Sequence, residues 1–474
     1  MTSSTKLLTA LLLMCTWSMH AQEARSFSLD EAISHALANN YELKQKQLDV
    51  DIANAQVKET TAAGLPQVTG EAALNYYIDV PTQLAEPFDF DLGDGFNQWI
   101  GEVGGTTGVG LPQQDAVDPD ALQSFQFGLP WGANAGITIS QLVFDGSYFV
   151  GLKAARAYKE NSELGVRKSE IEIKNGVTQT YFSVVAMDQT LTSLKDDLVT
   201  ISKNAEDTKA LYEAGLAEKQ DADQVRLIRS NLEYQIQATE RQRTQMMRLL
   251  KFQMGVPVGD EVSLTSSMEE LVSATEEASG VLEQNVNFQN HIDYQMIEKG
   301  MELQELSLSS ERTKNYPSLN AFFTHSQNGF ARDFGELLDA PYKAYWPTTL
   351  AGLQLNVPIF SSGMRYQRTK IAKLELQKLE SQKTQVEQNL TLQAESSRDS
   401  YRSALESYQL RKEDLELAES IRENTREKFN AGLASSQDLS SVESQYLQTL
   451  RNYINTTLEL LNAKLALDKA LGNI

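Results

Sequence analysis

The sequence predicts a mainly α-helical chain with membrane-type β-strands, in which long antiparallel coiled coils and two strand pairs arise from one plan repeated twice. Three observations carry that prediction: an internal repeat, four segments alternating at period two, and two proline-free stretches of nearly seventy residues.

The repeat sets the organisation. Leu65-Pro66-Gln67-Val68 returns as Tyr316-Pro317-Ser318-Leu319, and Ile137-Thr138-Ile139-Ser140 returns as Leu353-Gln354-Leu355-Asn356. Tyr212-Glu213-Ala214-Gly215-Leu216 returns as Phe429-Asn430-Ala431-Gly432-Leu433, and Gln220-Asp221 as Gln437-Asp438 at the same offset. The expected units are a leader at 1–21, a first repeat at 22–255, an equatorial linker at 256–286 and a second repeat at 287–474. The leader is expected because Lys6 precedes the apolar run Leu7 to Met14, with small Ala21 at the cleavage position. The only cysteine, Cys15, falls inside it, so the exported chain has no disulfide and depends on packing or assembly.

Alternation marks the strands. The apolar sets are Val68/Gly70/Ala72/Leu74/Tyr76/Ile78, Ala135/Ile137/Ile139/Val143, Leu319/Ala321/Phe323 and Ala351/Leu353/Leu355/Val357/Ile359. Between them lie Thr69, Glu71 and Asn75, Thr138 and Ser140, then Gln354 and Asn356. Each segment has roughly the length that a tilted strand needs to cross an outer membrane, about 9–11 residues. A half-buried soluble sheet would show the same alternation, but these strands come as isolated pairs separated by helices too long for a compact domain.

Length and heptads mark the helices. From about Ser147 to Ala214, and from Met364 to Ala431, there is no proline, and either stretch as a helix would reach roughly 100 Å. Val177, Val184, Leu191, Leu198, Ala205 and Tyr212 are spaced by seven, with Met187, Leu194 and Ile201 as companions. Leu439, Tyr446, Tyr453, Leu460 and Leu467 repeat the pattern beside Val442, Thr449, Thr456, Ala463 and Ala470, a coiled-coil seam with small residues. Segments Leu29–Ala63 and Glu218–Met254, laid end to end, match the first long helix, as Asn287–Thr313 and Ala434–Leu471 match the second. Gly255-Val256-Pro257-Val258-Gly259 is the expected break between them.

Composition excludes other classes. A formal charge of −22 argues against nucleic acid and against anionic lipid surfaces. With no run of 18 apolar residues, insertion into a membrane must use strands. The four histidines are scattered, so no metal cluster, cofactor site or catalytic group is expected. Gly104-Gly105-Thr106-Thr107-Gly108-Val109-Gly110 imitates a phosphate cradle, but Leu111-Pro112 follows it rather than a helix start. Asp89, Asp91 and Asp94 offer calcium-type oxygens in the long loop from Pro81 to Trp131, where acidic residues are more often simply solvated. Four membrane strands cannot close alone, because open edges are not tolerated in lipid and barrels begin at about eight strands. Three copies would make a twelve-stranded barrel with an aqueous lumen.

The duplicated strand-pair and long-helix plan, the Ala-Gly-Leu turns at Gly215 and Gly432 followed by Asp221 and Asp438, and the opening Phe27-Ser28-Leu29-Asp30-Glu31-Ala32 resemble the outer-membrane efflux protein family, the TolC-like channels. The resemblance spans both halves in order. It implies a homotrimer in the outer membrane lipid of a Gram-negative bacterium, with a twelve-stranded barrel above a helical periplasmic tunnel. It further implies a periplasmic adaptor and an inner-membrane pump of the RND or ABC type. Adaptor hairpins would then dock on the tips Ala214-Gly215-Leu216 and Ala431-Gly432-Leu433. An aspartate matching Asp438 lines the tunnel-entrance constriction in the family, with Asp221 at the equivalent point of the first repeat. A second family aspartate is Ser441 here, which halves the charge of the ring. The tyrosine and arginine that lock the family's closed entrance match Phe429 and Ala434, neither of which can form that lock. Small-molecule efflux is the expected role. Protein export through a type I secretion system uses the same outer component, and a coiled-coil spacer or adhesin stalk would explain the heptads but not the strand pairs.

Overall fold

The structure is a computed structural model that describes residues 25–85, 98, 99, 102, 123–126, 128–277, 282–339 and 345–474. The expected leader, Cys15, the three loop aspartates and the glycine run at 104–110 lie outside the described residues. Two compact units are present. One holds the chain up to Lys58, Val150–Arg312 and Tyr366–Ile474, and the other Glu59–Phe149 and Thr313–Arg365, so each draws on both sequence repeats.

The elements in order are β1 (Arg25–Phe27), α1 (Leu29–Asn39), α2 (Tyr41–Ala62), β2 (Gln67–Tyr76), β3 (Thr82–Ala85), β4 (Gln123–Gln126), β5 (Trp131–Phe144), α3 (Gly146–Glu213), α4 (Lys219–Met254), β6 (Val262–Leu264), α5 (Met268–Glu277), α6 (Ile292–Thr313), β7 (Ser318–Ala331), α7 (Phe334–Asp339), β8 (Tyr345–Asn356), α8 (Met364–Asn430) and α9 (Ser436–Leu471). The long helices α3 and α8, of 68 and 67 residues, fall within one residue of the expected bounds. Among the described residues no helix is long and apolar enough to cross a membrane.

The strand unit is a four-stranded antiparallel sheet in the order β2-β5-β7-β8, whose two outer strands belong to different repeats. Register aligns Val68, Ile139, Phe323 and Ala351 on one face, and Thr69, Thr138, Thr324 and Leu350 on the other. The second face carries cross-strand hydrogen bonds, Thr138 to Thr324 at 3.1 Å and Asn328 Nδ2 to Thr348 Oγ1 at 3.1 Å. The first face is apolar and open, with Val68, Leu74, Ile137, Leu353 and Leu355 all more than half exposed. Two details depart from simple alternation. A bulge between Leu142 and Phe144 ejects Val143 from the ladder, so Phe144 rather than Val143 pairs with Leu319. Strands β2 and β8 stop at Tyr76 and Asn356, leaving Ile78, Val357 and Ile359 beyond the pairing. The sheet ends are aromatic: Tyr76, Trp131, Phe330 and Trp346 at one, Phe144, Tyr148 and Phe149 at the other.

The helical unit has its core where α1, α3, α4, α5, α8 and α9 meet. Tyr181, fully buried, donates its hydroxyl to the Phe27 carbonyl at 3.1 Å and hydrogen-bonds Ser266, tying α3 to the parallel β1–β6 pair. The segment read from sequence as a linker thus contributes β6 and α5, with Met268, Leu271 and Val272 buried.

Two sequence expectations need correction here. The segment Leu29–Ala63 is two helices, because Asn40 leaves the helical conformation. Asn40 accepts the backbone N–H of Glu42 and Leu43 at 2.8 and 3.2 Å and donates to the Gln253 carbonyl at 2.7 Å. The end of α4 therefore docks at the α1–α2 junction, where His35 Nδ1 also meets the Met254 carbonyl at 3.1 Å. The second correction concerns the seam of α9. Of the two expected rows Leu439, Tyr446, Leu460, Leu467 and Ala470 are buried, while Tyr453, Val442, Thr449, Thr456 and Ala463 are only half-buried; Glu443, Leu450, Thr457, Lys464 and Leu471 are buried instead beside the first row. Because α9 packs on both α4 and α5, its buried stripe is broader than a two-row seam, and the row four residues on is drawn inside. Likewise, near the end of α3, Asp197, Asn204 and Thr208 are buried while Ala205 is half-buried and Tyr212 exposed.

Candidate functional site

The expected site lies where α3 turns into α4 and α8 into α9. Both long helices end in the same way. Gly215 and Gly432 take φ of 76° and 74°, the left-handed conformation that glycine adopts without a Cβ penalty. Leu216 N–H reaches back to the Leu211 carbonyl at 2.8 Å and Gly215 N–H to that of Tyr212 at 2.9 Å. Leu433 and Gly432 repeat this pattern onto Lys428 and Phe429 at 2.8 and 2.9 Å. These paired bonds satisfy carbonyls that a helix end otherwise leaves free. The turn projects the next residue outward, so Leu216 and Leu433 are 76% and 80% exposed, beside exposed Ala214 and Ala431.

The return helices begin one and two residues later than the segments Glu218–Met254 and Ala434–Leu471 read from sequence. Asp221 and Asp438 are third residues in α4 and α9, within the first turn, because the connection spends residues 216–218 and 433–435 outside the helix. Both act as capping carboxylates. Asp438 accepts Ser435 N–H at 3.0 Å and Ser435 Oγ–H at 2.7 Å, and Asp221 accepts Glu218 N–H at 3.3 Å. The starts of the two return helices also touch. Ser436 Oγ donates to the Asp221 carboxylate, and Gln224 Nε2 donates to Gln437 Oε1 at 3.0 Å. Asp221 is therefore half-buried and engaged, whereas Asp438 is exposed and, among the described residues, bonded only to its own cap residue. Ser441 is exposed, and Phe429 and Ala434 are half-buried.

Hydrogen bonding from Ser435 holds the Asp438 carboxyl below its ordinary value of 3.8. A depressed value in the folded chain means that the capping interaction is present above the ordinary value and is lost only as pH falls through the lowered one. Asp438 consequently keeps its charge through mildly acidic conditions.

Deeper along the same helices is a charge cluster that sequence reasoning missed. Arg422 Nη1 lies 2.7 Å from Asp197 Oδ1, Arg426 Nε lies 2.5 Å from Glu443 Oε1, and the Arg422 guanidinium sits 3.4 Å over the Tyr446 ring. Arg426 Nη2 is also 3.7 Å from Asp197 Oδ1, so α3, α8 and α9 share one network. Glu443 is 2% exposed. Burial pushes both Glu443 and Asp197 above the usual carboxylate range, against the pull of the arginines. A signal is present in the sequence: Glu443 lies on the seven-residue row of Leu450, Thr457 and Lys464.

Comparison with known proteins gives the following. Residues 289–473 match the family model described as outer membrane efflux protein. No curated protein matches the chain by sequence. Three solved structures are similar over nearly the whole chain. The CmeC outer membrane channel of Campylobacter jejuni is 16% identical with a TM-score of 0.66, covering 94% of this chain and 85% of that one. The outer membrane protein VceC of Vibrio cholerae is 14% identical with a TM-score of 0.64, covering 94% and 96%. The MtrE outer membrane channel of Neisseria gonorrhoeae, in its open state, is 15% identical with a TM-score of 0.64, covering 94% and 88%. At these identities the likeness establishes a shared fold.

Proposed function

We propose that this protein, whose residues 289–473 match the outer membrane efflux protein model and whose fold is that of the TolC-like protomers, is the outer-membrane exit duct of a tripartite efflux system. Three copies close a twelve-stranded barrel in the outer membrane of a Gram-negative bacterium, and their helices line a periplasmic tunnel. The duct is passive: an inner-membrane pump of the RND or ABC type supplies the energy, and a periplasmic adaptor joins pump to duct. Small molecules are the cargo, selected by the pump.

The observation that carries this reading is the unfinished sheet. Among the described residues strands β2 and β8 each present an unpaired edge, one face of the sheet is apolar and exposed, and lipid tolerates neither an open edge nor an unsatisfied backbone. Closure by sister copies removes both edges. The 14 residues of β5 from Trp131 to Phe144, tilted by about 45°, span roughly 30 Å, and aromatic groups at both ends match the girdles of a barrel at its two lipid interfaces. Exposed apolar pairs at seven-residue spacing, Tyr41 with Leu48, Leu227 with Tyr234 and Leu410 with Leu417, supply faces for neighbouring copies.

The test is extraction from outer membranes followed by electrophoresis with and without heating, together with mass measurement in mild detergent. A heat-modifiable trimer is expected. A folded monomer in mild detergent would remove the duct.

Two further outcomes are expected. In a planar bilayer the wild-type trimer is blocked by multivalent cations at the Asp438 ring. Asp438→Asn should raise the half-blocking concentration by about fivefold or more, since a carboxylate about 4 Å from an ion in water is worth about 1 kcal/mol per unit charge. Because the Asp438 carboxyl sits below its ordinary value of 3.8, block in the wild type should persist as pH is lowered to that value. Unchanged block in Asp438→Asn takes Asp438 out of the entrance. At the tips, Leu216→Asp with Leu433→Asp should leave trimer and conductance intact, because both side chains are exposed, while abolishing adaptor co-purification and export. Retained co-purification places the docking surface elsewhere.

A further inference from the structure

The four paired strands β2, β5, β7 and β8 contain no lysine, arginine or aspartate and a single glutamate, Glu71 of β2. Register places Glu71 opposite Gly136, which pairs with Ser326, which pairs with Thr348. That row lies on the hydrogen-bonded polar face, between Thr69-Thr138-Thr324 and Ala73-Asn134-Asn328. The apolar face on the other side of the sheet presents Val68, Ile137 and Ile139 at neighbouring positions. In a closed barrel the apolar face meets lipid and the polar face lines the lumen. Glu71 is exposed, and its direct cross-strand neighbour has no side chain to pair with it or cover it.

We infer that Glu71 is the charge-selectivity determinant of the barrel, forming with its two symmetry copies a ring of three carboxylates that favours passage of cationic and neutral cargo over anionic cargo. This rests on the trimeric barrel of the proposed function. Rings of acidic side chains act in this way because they concentrate cations and repel anions in a water-filled pore. The remaining strand residues on that face are uncharged, so nothing on the sheet offsets the ring. Its field is screened within about 10 Å at 0.1 M salt but reaches about 30 Å at 0.01 M, so selectivity should sharpen as salt is lowered.

The experiment is the reversal potential of the purified trimer in a planar bilayer under a potassium chloride gradient, at low salt. Asp438→Asn serves as the common background, so that the entrance aspartate contributes nothing. With Glu71 present the pore should prefer potassium. Glu71→Gln should lower the cation-to-anion permeability ratio by roughly threefold, as expected for three charges acting across about a screening length. Glu71→Asp should retain the preference, and Glu71→Lys should turn it towards chloride. Conducting Glu71→Gln trimers with an unchanged ratio overturn the inference while leaving the duct intact. Absence of any channel from wild-type trimers overturns the barrel, and this inference with it.

Discussion

Replacing Glu443 by alanine is expected to destabilise the protein by about 3–5 kcal/mol, the cost of leaving a buried charge without its partner. Arg426 Nε would lose its closest acceptor, and its guanidinium, 17% exposed, has little access to water in exchange. The remaining carboxylate, Asp197, stands 3.7 Å from Arg426 Nη2 and is already engaged at 2.7 Å by Arg422. The double replacement Glu443→Leu with Arg426→Met should restore stability to within about 1 kcal/mol of the wild type or exceed it, since apolar groups of similar volume often replace a buried pair without loss. The direction of the carboxyl shifts points the same way, because burial disfavours the ionised form more than the arginines favour it. Denaturant unfolding in detergent, followed by helical circular dichroism, measures both variants. A single Glu443→Ala variant within about 1 kcal/mol of the wild type would mean that water reaches the cluster, contrary to its burial.

Gly255→Ala is the other substitution with a large expected effect, more than about 3 kcal/mol, from two causes that add. The residue ends α4 with φ of 71°, a conformation that costs an L side chain about 1–2 kcal/mol. An added Cβ would also overlap the Asn39 carbonyl oxygen and lie 2.7 Å from its carbon, and a backbone group at the α1–α2 junction cannot swing aside. Gly432→Ala provides the contrast. It has nearly the same φ, 74°, but open space around it, so only the conformational cost of about 1–2 kcal/mol should appear. Parallel unfolding of the two variants separates the causes, and equal losses would show that the contact with Asn39 yields.

These substitutions also separate what was legible along the chain from what was not. The long helices announced themselves through the absence of proline and the heptads from Val177 and from Leu439, and their tips through Gly215 and Gly432. The first and last of these are local: a left-handed residue or a missing breaker acts on the nearest turn of backbone and needs no distant partner, whereas a period of seven marks a helix without naming the surface that covers it. Strand alternation was likewise legible, except where the bulge at Val143 shifted the pairing, because one extra residue on one strand has meaning only against the strand beside it.

The sequence by itself determined the repeat, the type of each major element and the two turns that carry Asp221 and Asp438, because neighbours within a turn or a strand decide those. Only the tertiary structure decided that Leu29–Ala63 breaks at Asn40, that Glu443 rather than Val442 faces inward, and that Asp221 is held by Ser436 while Asp438 stays open to water. The physical reason is common to all three. Burial and hydrogen-bond partnership depend on surfaces of other elements, more than two hundred positions away for Asn40 with Gln253 and Asp221 with Ser436 and across the α8–α9 turn for Glu443 with Arg426, and a side chain's chemistry does not reveal which surface will reach it.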